Sequence, residues 1–389
     1  MLLVLFDIEL SNSDVAPYHR GMKVLISRKD LKDTTSGVPK KVLQEISFFK
    51  SHGYEAYAIA ETMNHQMVEE FGGVAVKTFQ WPFSGHFRRK FYQKMVSRWI
   101  RKQKPDVVIG HGDIIEQDVL FIHNCVHLAH EMVEGKPLPA DHEVGLIHEE
   151  ILRQDKFKLL ICNSQMMKDD LVSRFKLDAA KAVVIYPEVN LKKFTAENVT
   201  ELRSEWRGKF GFRDSDFVFG IITSGNFKKR NLGMLIEGFA EIAKTESSVK
   251  LFIAGGNLDE KYLKQIKDLG ISNKVQVAEP IIDVKNYYYL IDTFILPAHI
   301  EEFGRSVLEA MFCGKPVITT DKVGASEIME GKARDYIMKP GDKAQMMMLM
   351  KRAMNEQDVS ILNHKTAKKY SADSQNDNFG KILKEFKII

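Results

Sequence analysis

Three cysteines in 389 residues, Cys125, Cys162 and Cys313, lie far apart and share no C-x-x-C spacing. That scarcity speaks against a disulfide framework and a thiolate zinc site, and it points to a reducing, cytoplasmic setting. A dominant charge is also lacking. The 56 Lys and Arg residues face 52 Asp and Glu, a formal net charge of +4, so whole-chain electrostatics gives no reason to expect a nucleic-acid partner. No apolar run is long enough to span a bilayer. Leu2 to Phe6 is followed at once by Asp7 and has no basic segment before it, unlike a secretory signal. No G-x-G-x-x-G follows an opening strand, which argues against a dehydrogenase. His111, His123, His127, His130, His142 and His148 gather in one region without an H-E-x-x-H or a carboxylate–histidine set, so no metal is expected.

What the chain does have is alternation. From Met22 onward, short apolar runs alternate with amphipathic stretches, the pattern of a parallel α/β sheet. Strands are expected near Val24–Ile26, Glu55–Ile59, Val107–Ile109, Leu120–Ile122, Leu159–Ile161 and Val183–Ile185. The pattern restarts at Phe217–Ile222, with further strands at Lys250–Ala254, Val275–Val277, Phe294–Leu296, Val317–Ile318 and Tyr336–Ile337. A chain of this length suggests two domains. The division expected is a leader or extra strand in 1–21, an N-terminal domain in 22–190 and a second domain in 191–370. A C-terminal helix in 371–389 is expected to pack back toward the first domain. Pro187 marks the link between the halves.

The most informative stretch runs from Glu301 to Glu309, with two carboxylates eight positions apart around Phe303-Gly304. Glu301 is placed at the carboxyl end of a strand and Glu309 within the next helix, which closes on Gly314. Ligands bind at the carboxyl ends of strands in an open parallel sheet, and backbone N–H groups from Gly304 through Arg305 and Ser306 to Val307 open a helix whose positive end favours phosphate. A second cluster, Gly225-Asn226-Phe227-Lys228-Lys229-Arg230, follows the first strand of the second half. Three cations at a strand-to-helix turn suit a diphosphate, because fixed cations stabilise the charge that grows on a leaving diphosphate. An ordinary strand-turn-helix and a solvated basic turn are the plain alternatives. Asp214-Ser215-Asp216 has the spelling of a metal-holding Asp-x-Asp, but it precedes a strand instead of ending one and reads as a turn.

The Glu301 to Glu309 segment resembles the E-x7-E signature of glycosyltransferase family 4, whose members are retaining nucleotide-sugar transferases. The link Pro187, Val189, Asn190 and Phe194 is similar to that family's inter-domain segment, with Asn190 for the usual Asp. The compact Phe227-Lys228-Lys229-Arg230 form is closest to lipopolysaccharide-core glucosyltransferases that act on the first heptose. The resemblance implies an α/β GT-B fold, two Rossmann-like domains with parallel sheets facing a deep interdomain cleft. It implies that Glu301 lies beside the transferred sugar and Glu309 holds the ribose. By the same resemblance, Lys228, Lys229, Arg230, Gly225, Phe303, Gly304, Arg305 and Ser306 are expected to line the donor diphosphate and sugar, and Ile282 to lie against the base. Glu302 departs from the family pattern, which usually has glycine there. Gly37, in the loop that starts at Thr34-Thr35-Ser36, is expected from the resemblance to face the diphosphate. His123 is expected to lie against the donor sugar, and His127 and Glu302 are acceptor-side candidates.

The activity so implied is transfer of a hexose, first glucose, from a nucleotide diphosphate sugar, first a UDP-sugar, to a glycan or glycolipid such as a lipopolysaccharide core. No cofactor and no metal are required in that family, the basic loop and helix dipoles standing in for the cation. Two other readings are a nucleotide-sugar 2-epimerase of the same architecture and a non-catalytic nucleotide-sugar-binding protein. Between residues 81 and 104, Phe87, Phe91, Met95 and Trp99 recur every fourth position among Arg88, Arg89, Lys90, Lys94, Arg98, Arg101, Lys102 and Lys104. That face either docks on the first sheet or rests on an anionic membrane surface, which would make the protein peripheral on the cytoplasmic leaflet. Single-stranded nucleic acid is a weaker partner for it.

Overall fold

The computed structural model describes residues 21–33, 37–82, 85–356 and 358–389. The proposed leader, apart from Gly21, and Thr34-Thr35-Ser36 therefore lie outside the described residues. The chain forms two compact units. The first comprises the described residues up to Phe121 together with Leu146–Leu159 and Ile388–Ile389; the second comprises Ile122–Gly145 and Leu160–Lys387.

In the first unit, strands β1 (Lys23–Ser27), β2 (Glu55–Ala60), β3 (Val74–Lys77), β4 (Val107–Gly110) and β5 (Val119–Phe121) pair in parallel in the order β3-β2-β1-β4-β5. β3 was not foreseen, because Val74-Ala75-Val76-Lys77 is too short to show a period and two of its residues are exposed. Val24, Leu25 and Ile26 are fully buried, as expected for a strand covered on both faces. Helix α1 (Gly37–Ser51) turns Val42, Leu43 and Ile46 inward.

Helix α2 (His86–Gln103) holds the aromatic and basic stretch. Its most buried side is Tyr92, Gln93 and Val96, and Tyr92 donates to the Ile59 carbonyl at 2.8 Å. Phe91 stacks near Trp81 and Phe79, and Trp99 near Tyr57. Arg88 pairs with Glu61, Arg89 with Asp113 and Lys90 with Glu150. Half of the every-fourth-residue stripe thus packs within the unit, and three of its cations are paired there. Phe87 alone of that stripe is strongly exposed, at 83%.

The second unit opens with helix α3 (Val126–Glu134), followed by β6 (Leu159–Cys162, whose first residue counts with the first unit), α4 (Gln165–Phe175) and β7 (Ala182–Val184), with β6 and β7 parallel. Its main sheet has six parallel strands, β8 (Phe217–Ile222), β9 (Val249–Ala254), β10 (Val275–Ala278), β11 (Thr293–Leu296), β12 (Val317–Thr320) and β13 (Ile337–Met338), in the order β10-β9-β8-β11-β12-β13. The order reverses between β8 and β11, so their carboxyl ends frame the crevice where such sheets take ligands. Helices α5 (Leu232–Thr245) and α6 (Arg305–Phe312) start from the loops that leave those two strands. α6 ends at Cys313, and Gly314 follows at φ +68° as a left-handed stop. Asp214-Ser215-Asp216 is a turn before β8. Asn190 caps the short helix after the link by accepting the Lys193 N–H at 3.0 Å, which an aspartate would do equally well. Helix α7 (Ala372–Glu385) occupies the expected C-terminal stretch, and Val189 just before Asn190 bonds to the Tyr370 carbonyl at 2.9 Å.

Candidate active site

The loop after β8 and the loop after β11 meet at the reversal point. The His299 N–H donates to the Lys229 carbonyl at 2.9 Å, tying them together. The β8 loop bends sharply through Gly225 at φ +112° and Asn226 at φ +52°. Asn226 stabilises its own turn by accepting the Lys229 N–H at 3.2 Å. Arg230 folds back to donate to the Gly225 carbonyl.

Each cation of this loop faces a carboxylate. Lys228 reaches both oxygens of Glu134 at 2.7 Å on an exposed surface. Lys229 Nζ lies 2.5 Å from Glu302 Oε2, and both side chains are largely covered. Arg230 Nη2 lies 3.1 Å from Glu301 Oε2, in a geometry that makes an ion pair without an aligned hydrogen bond. Burial opposes the charge on Lys229, but Glu302 and then Glu301 outweigh it and hold its pKa above the ordinary lysine value. His299 is pushed the other way, below the usual histidine value, by burial and by Lys228.

Glu301 is fixed from behind. Its N–H donates to the Lys322 carbonyl at 2.9 Å, and its carbonyl accepts the Gly324 N–H at 3.0 Å. Phe303 is 3% exposed, so its side chain belongs to the core, while its carbonyl accepts the Ala325 N–H at 2.6 Å. Gly304 sits at φ +87° and starts α6 with no side chain capping it, leaving the Arg305 and Ser306 turn open to an anion. The Arg305 guanidinium itself is engaged with Glu188 at 3.2 Å. Glu309, on α6, accepts the Tyr288 hydroxyl at 2.8 Å. Burial and then Glu309 raise the Tyr288 pKa well above the ordinary value, so it stays a donor.

Glu302, expected on the acceptor side, is 7% exposed and turned toward Lys229 and Cys125. Its Oε1 accepts the Cys125 N–H at 3.3 Å, which brings the segment of His123 beside this loop. His123 is half-buried two residues before Cys125. His127 instead packs edge-on against Phe175. Ile282 follows β10 and is 89% exposed. Gly37 is the first residue of α1 in the other unit.

Tyr288, Glu134 and Gly324 were not singled out from the sequence, and Cys125 was read there only for its redox setting. Only Gly324 carried a local sign, a glycine two residues beyond Lys322 in the loop after β12. Among the described residues, no group of three His, Cys, Asp or Glu side chains is placed to hold a metal ion.

Parallel sheets in two units, with a strand-order reversal in the second, are those of the GT-B glycosyltransferase fold. The family model for glycosyl transferases group 1 matches residues 203–375, and that for glycosyltransferase family 4 matches residues 35–193. The chain belongs to glycosyltransferase family 4. It is 20% identical over 300 residues to lipopolysaccharide glucosyltransferase WaaG of Escherichia coli (strain K12), covering 75% of this chain and 79% of that one. D-inositol 3-phosphate glycosyltransferase of Mycobacteroides abscessus is 28% identical over 232 residues, 55% of this chain and 49% of that one. That relative and six further curated ones are matched over 36% to 53% of their own length. A crystal structure of WaaG superposes with a TM-score of 0.74 at 17% identity, covering 92% of this chain and 99% of that one. Anabaena Alr3699/HepE in complex with UDP-glucose gives 0.73 at 17% identity, with 94% and 100% covered.

Proposed function

We propose that this glycosyltransferase moves a hexose, glucose in the first instance, from a nucleotide diphosphate sugar to a hydroxyl of a glycan or glycolipid, keeping the anomeric configuration. The observation that carries the reading is the meeting of Glu301 with the Lys228–Arg230 loop at the β8/β11 reversal point, with Glu309 on the helix that leaves the same loop. In this reading the Glu309 carboxylate takes the ribose hydroxyls, held in place by Tyr288. Lys228, Lys229, Arg230 and the open first turn of α6 take the diphosphate and stabilise the charge it gains as the sugar leaves. Glu301 supports the sugar's developing positive charge without forming a covalent bond. Attack comes from the same face as departure, with the leaving diphosphate accepting the acceptor proton and His123 near the sugar.

UDP as the nucleotide draws support from the HepE complex, and a lipopolysaccharide acceptor from the WaaG name; GDP-mannose, UDP-galactose and UDP-N-acetylglucosamine are the alternative donors. The cations of the loop are proposed to serve in place of a divalent ion. The still exposed part of α2, with Phe87, Lys94, Arg98, Arg101 and Lys102, is proposed to meet an anionic lipid surface, making the protein peripheral.

Thermal-shift titration with a panel of nucleotide sugars, with and without EDTA, tests the donor pocket. Stabilisation by a UDP-sugar that survives EDTA is expected. Glu309→Ala should lose that stabilisation, whereas Glu301→Ala should keep it and lose turnover. Stabilisation by none of the panel, or only with a divalent metal, refutes the reading.

A further inference from the structure

We infer that Glu302 is an internal counter-anion of Lys229 that the donor's diphosphate must displace, so that Glu302 sets how tightly this chain holds nucleoside diphosphates. The inference rests on the donor pocket proposed above. Lys229 and Glu302 are 2.5 Å apart, with side-chain exposures of 15% and 9%. The second Glu302 oxygen is held by the Cys125 N–H at 3.3 Å, and the Cys125 thiol lies 3.9 Å away. The backbone around Glu302 is clamped as well, since its carbonyl lies against Gly324 and the neighbouring Phe303 carbonyl takes the Ala325 N–H. The carboxylate is thus presented to Lys229 by fixed neighbours on both sides.

The other two loop cations are not held alike. Lys228 meets Glu134 at an exposed surface, where water screens the pair and makes exchange easy. Arg230 meets Glu301 without an aligned hydrogen bond. Lys229 is the cation most firmly committed before a ligand arrives. A diphosphate that claims it either draws the ammonium from Glu302 or shares it. Both leave a covered carboxylate close to a second anion, a repulsion that lowers affinity. A carboxamide at this position would still accept the Cys125 N–H while carrying no charge.

The test is calorimetric titration of the full chain with UDP, GDP and uridine. Glu302→Gln is expected to bind UDP or GDP about tenfold tighter than wild type, equivalent to about 1.4 kcal/mol. Uridine, which lacks the diphosphate, should bind both equally. In a Lys229→Met background most of the gain should vanish, because the competition runs through that ammonium. Glu302→Ala repeats the measurement should the glutamine variant not fold, with unfolding temperature as the check on each. Unchanged or weaker diphosphate binding in folded Glu302 variants, an equal gain for uridine, or a full gain without Lys229 overturns the inference while leaving the donor pocket intact. Failure of UDP and GDP to bind any variant, wild type included, overturns both.

Discussion

Gly324→Ala is a small change with a large expected effect. A Cβ there would lie 2.4 Å from the Glu302 carbonyl oxygen, 2.6 Å from the Ser164 Cβ and 3.0 Å from the Phe303 Cα. None of these atoms is the free end of a flexible side chain. Ordinary contact begins at 3.4 Å, so the loop carrying Glu301 and Glu302 must retreat by about 1 Å or the helical turn that begins at Gly324 must move away. Retreat strains the hydrogen bond between the Gly324 N–H and the Glu301 carbonyl and that between Ala325 and Phe303. Overpacking of this kind costs about 1–3 kcal/mol, which for a unit of this size lowers the unfolding temperature by roughly 2–12 °C. The effect on turnover should be larger. A displacement of about 1 Å in a positioned group can cost about a hundredfold in rate, while Glu309 and Tyr288 sit on other segments and should hold the nucleotide as before. The assay is UDP release from a UDP-sugar under saturating donor, beside a nucleotide titration. Turnover within about threefold of wild type, with the unfolding temperature unchanged, would show that the loop does not need this close contact.

Lys315 offers a pH test. Its ammonium donates to the Ile291 carbonyl at 2.9 Å, and burial, then Arg203, lower its pKa from 10.5 to about 8. Between those two values the unfolded chain binds the proton and the folded chain does not, so this residue's contribution to stability rises as pH climbs from about 8 toward 10.5. Buried thiols such as Cys162, raised to about 12, slope the opposite way. The reading is therefore the difference in denaturation midpoint between wild type and Lys315→Met, which should grow across that window; a flat difference refutes it. For the surface, flotation with anionic vesicles should carry more protein than with neutral ones, and Phe87→Ala with Arg98→Ala should reduce it. Equal flotation on both vesicle types would end the membrane proposal.

The fold was legible where buried strands announce themselves. Phe217–Ile222 and Thr293–Leu296 read as apolar runs because both faces of the sheet are covered. Val74–Lys77 was not, since an edge strand of four residues with two exposed leaves no pattern. In the site, the spacing of Glu301 and Glu309 and the Lys228–Arg230 cluster were local signals. Their partners were not: Glu134 is 94 positions from Lys228, and Cys125 is 177 from Glu302. Nothing in a sequence alone pairs residues at that distance. The basic stretch before Lys104 was legible only in part, because Glu61, Asp113 and Glu150, which match three of its charges, lie far from it in the linear sequence.

The Cys125 to Glu302 hydrogen bond also bears on how the protein is made. At about 5–20 residues per second, the ribosome takes on the order of ten to thirty seconds to pass from one end of that bond to the other. Until then the Cys125 N–H lacks the Glu302 carboxylate, and the six-stranded sheet still lacks β12 and β13. Contacts closed over so many residues form late and slowly. The donor pocket is therefore closed only after the chain has passed Glu309, and a stalled chain that ends before Glu301 would hold Lys229 and Arg230 without their carboxylates while Lys228 already has Glu134, a state suited to capture by a chaperone.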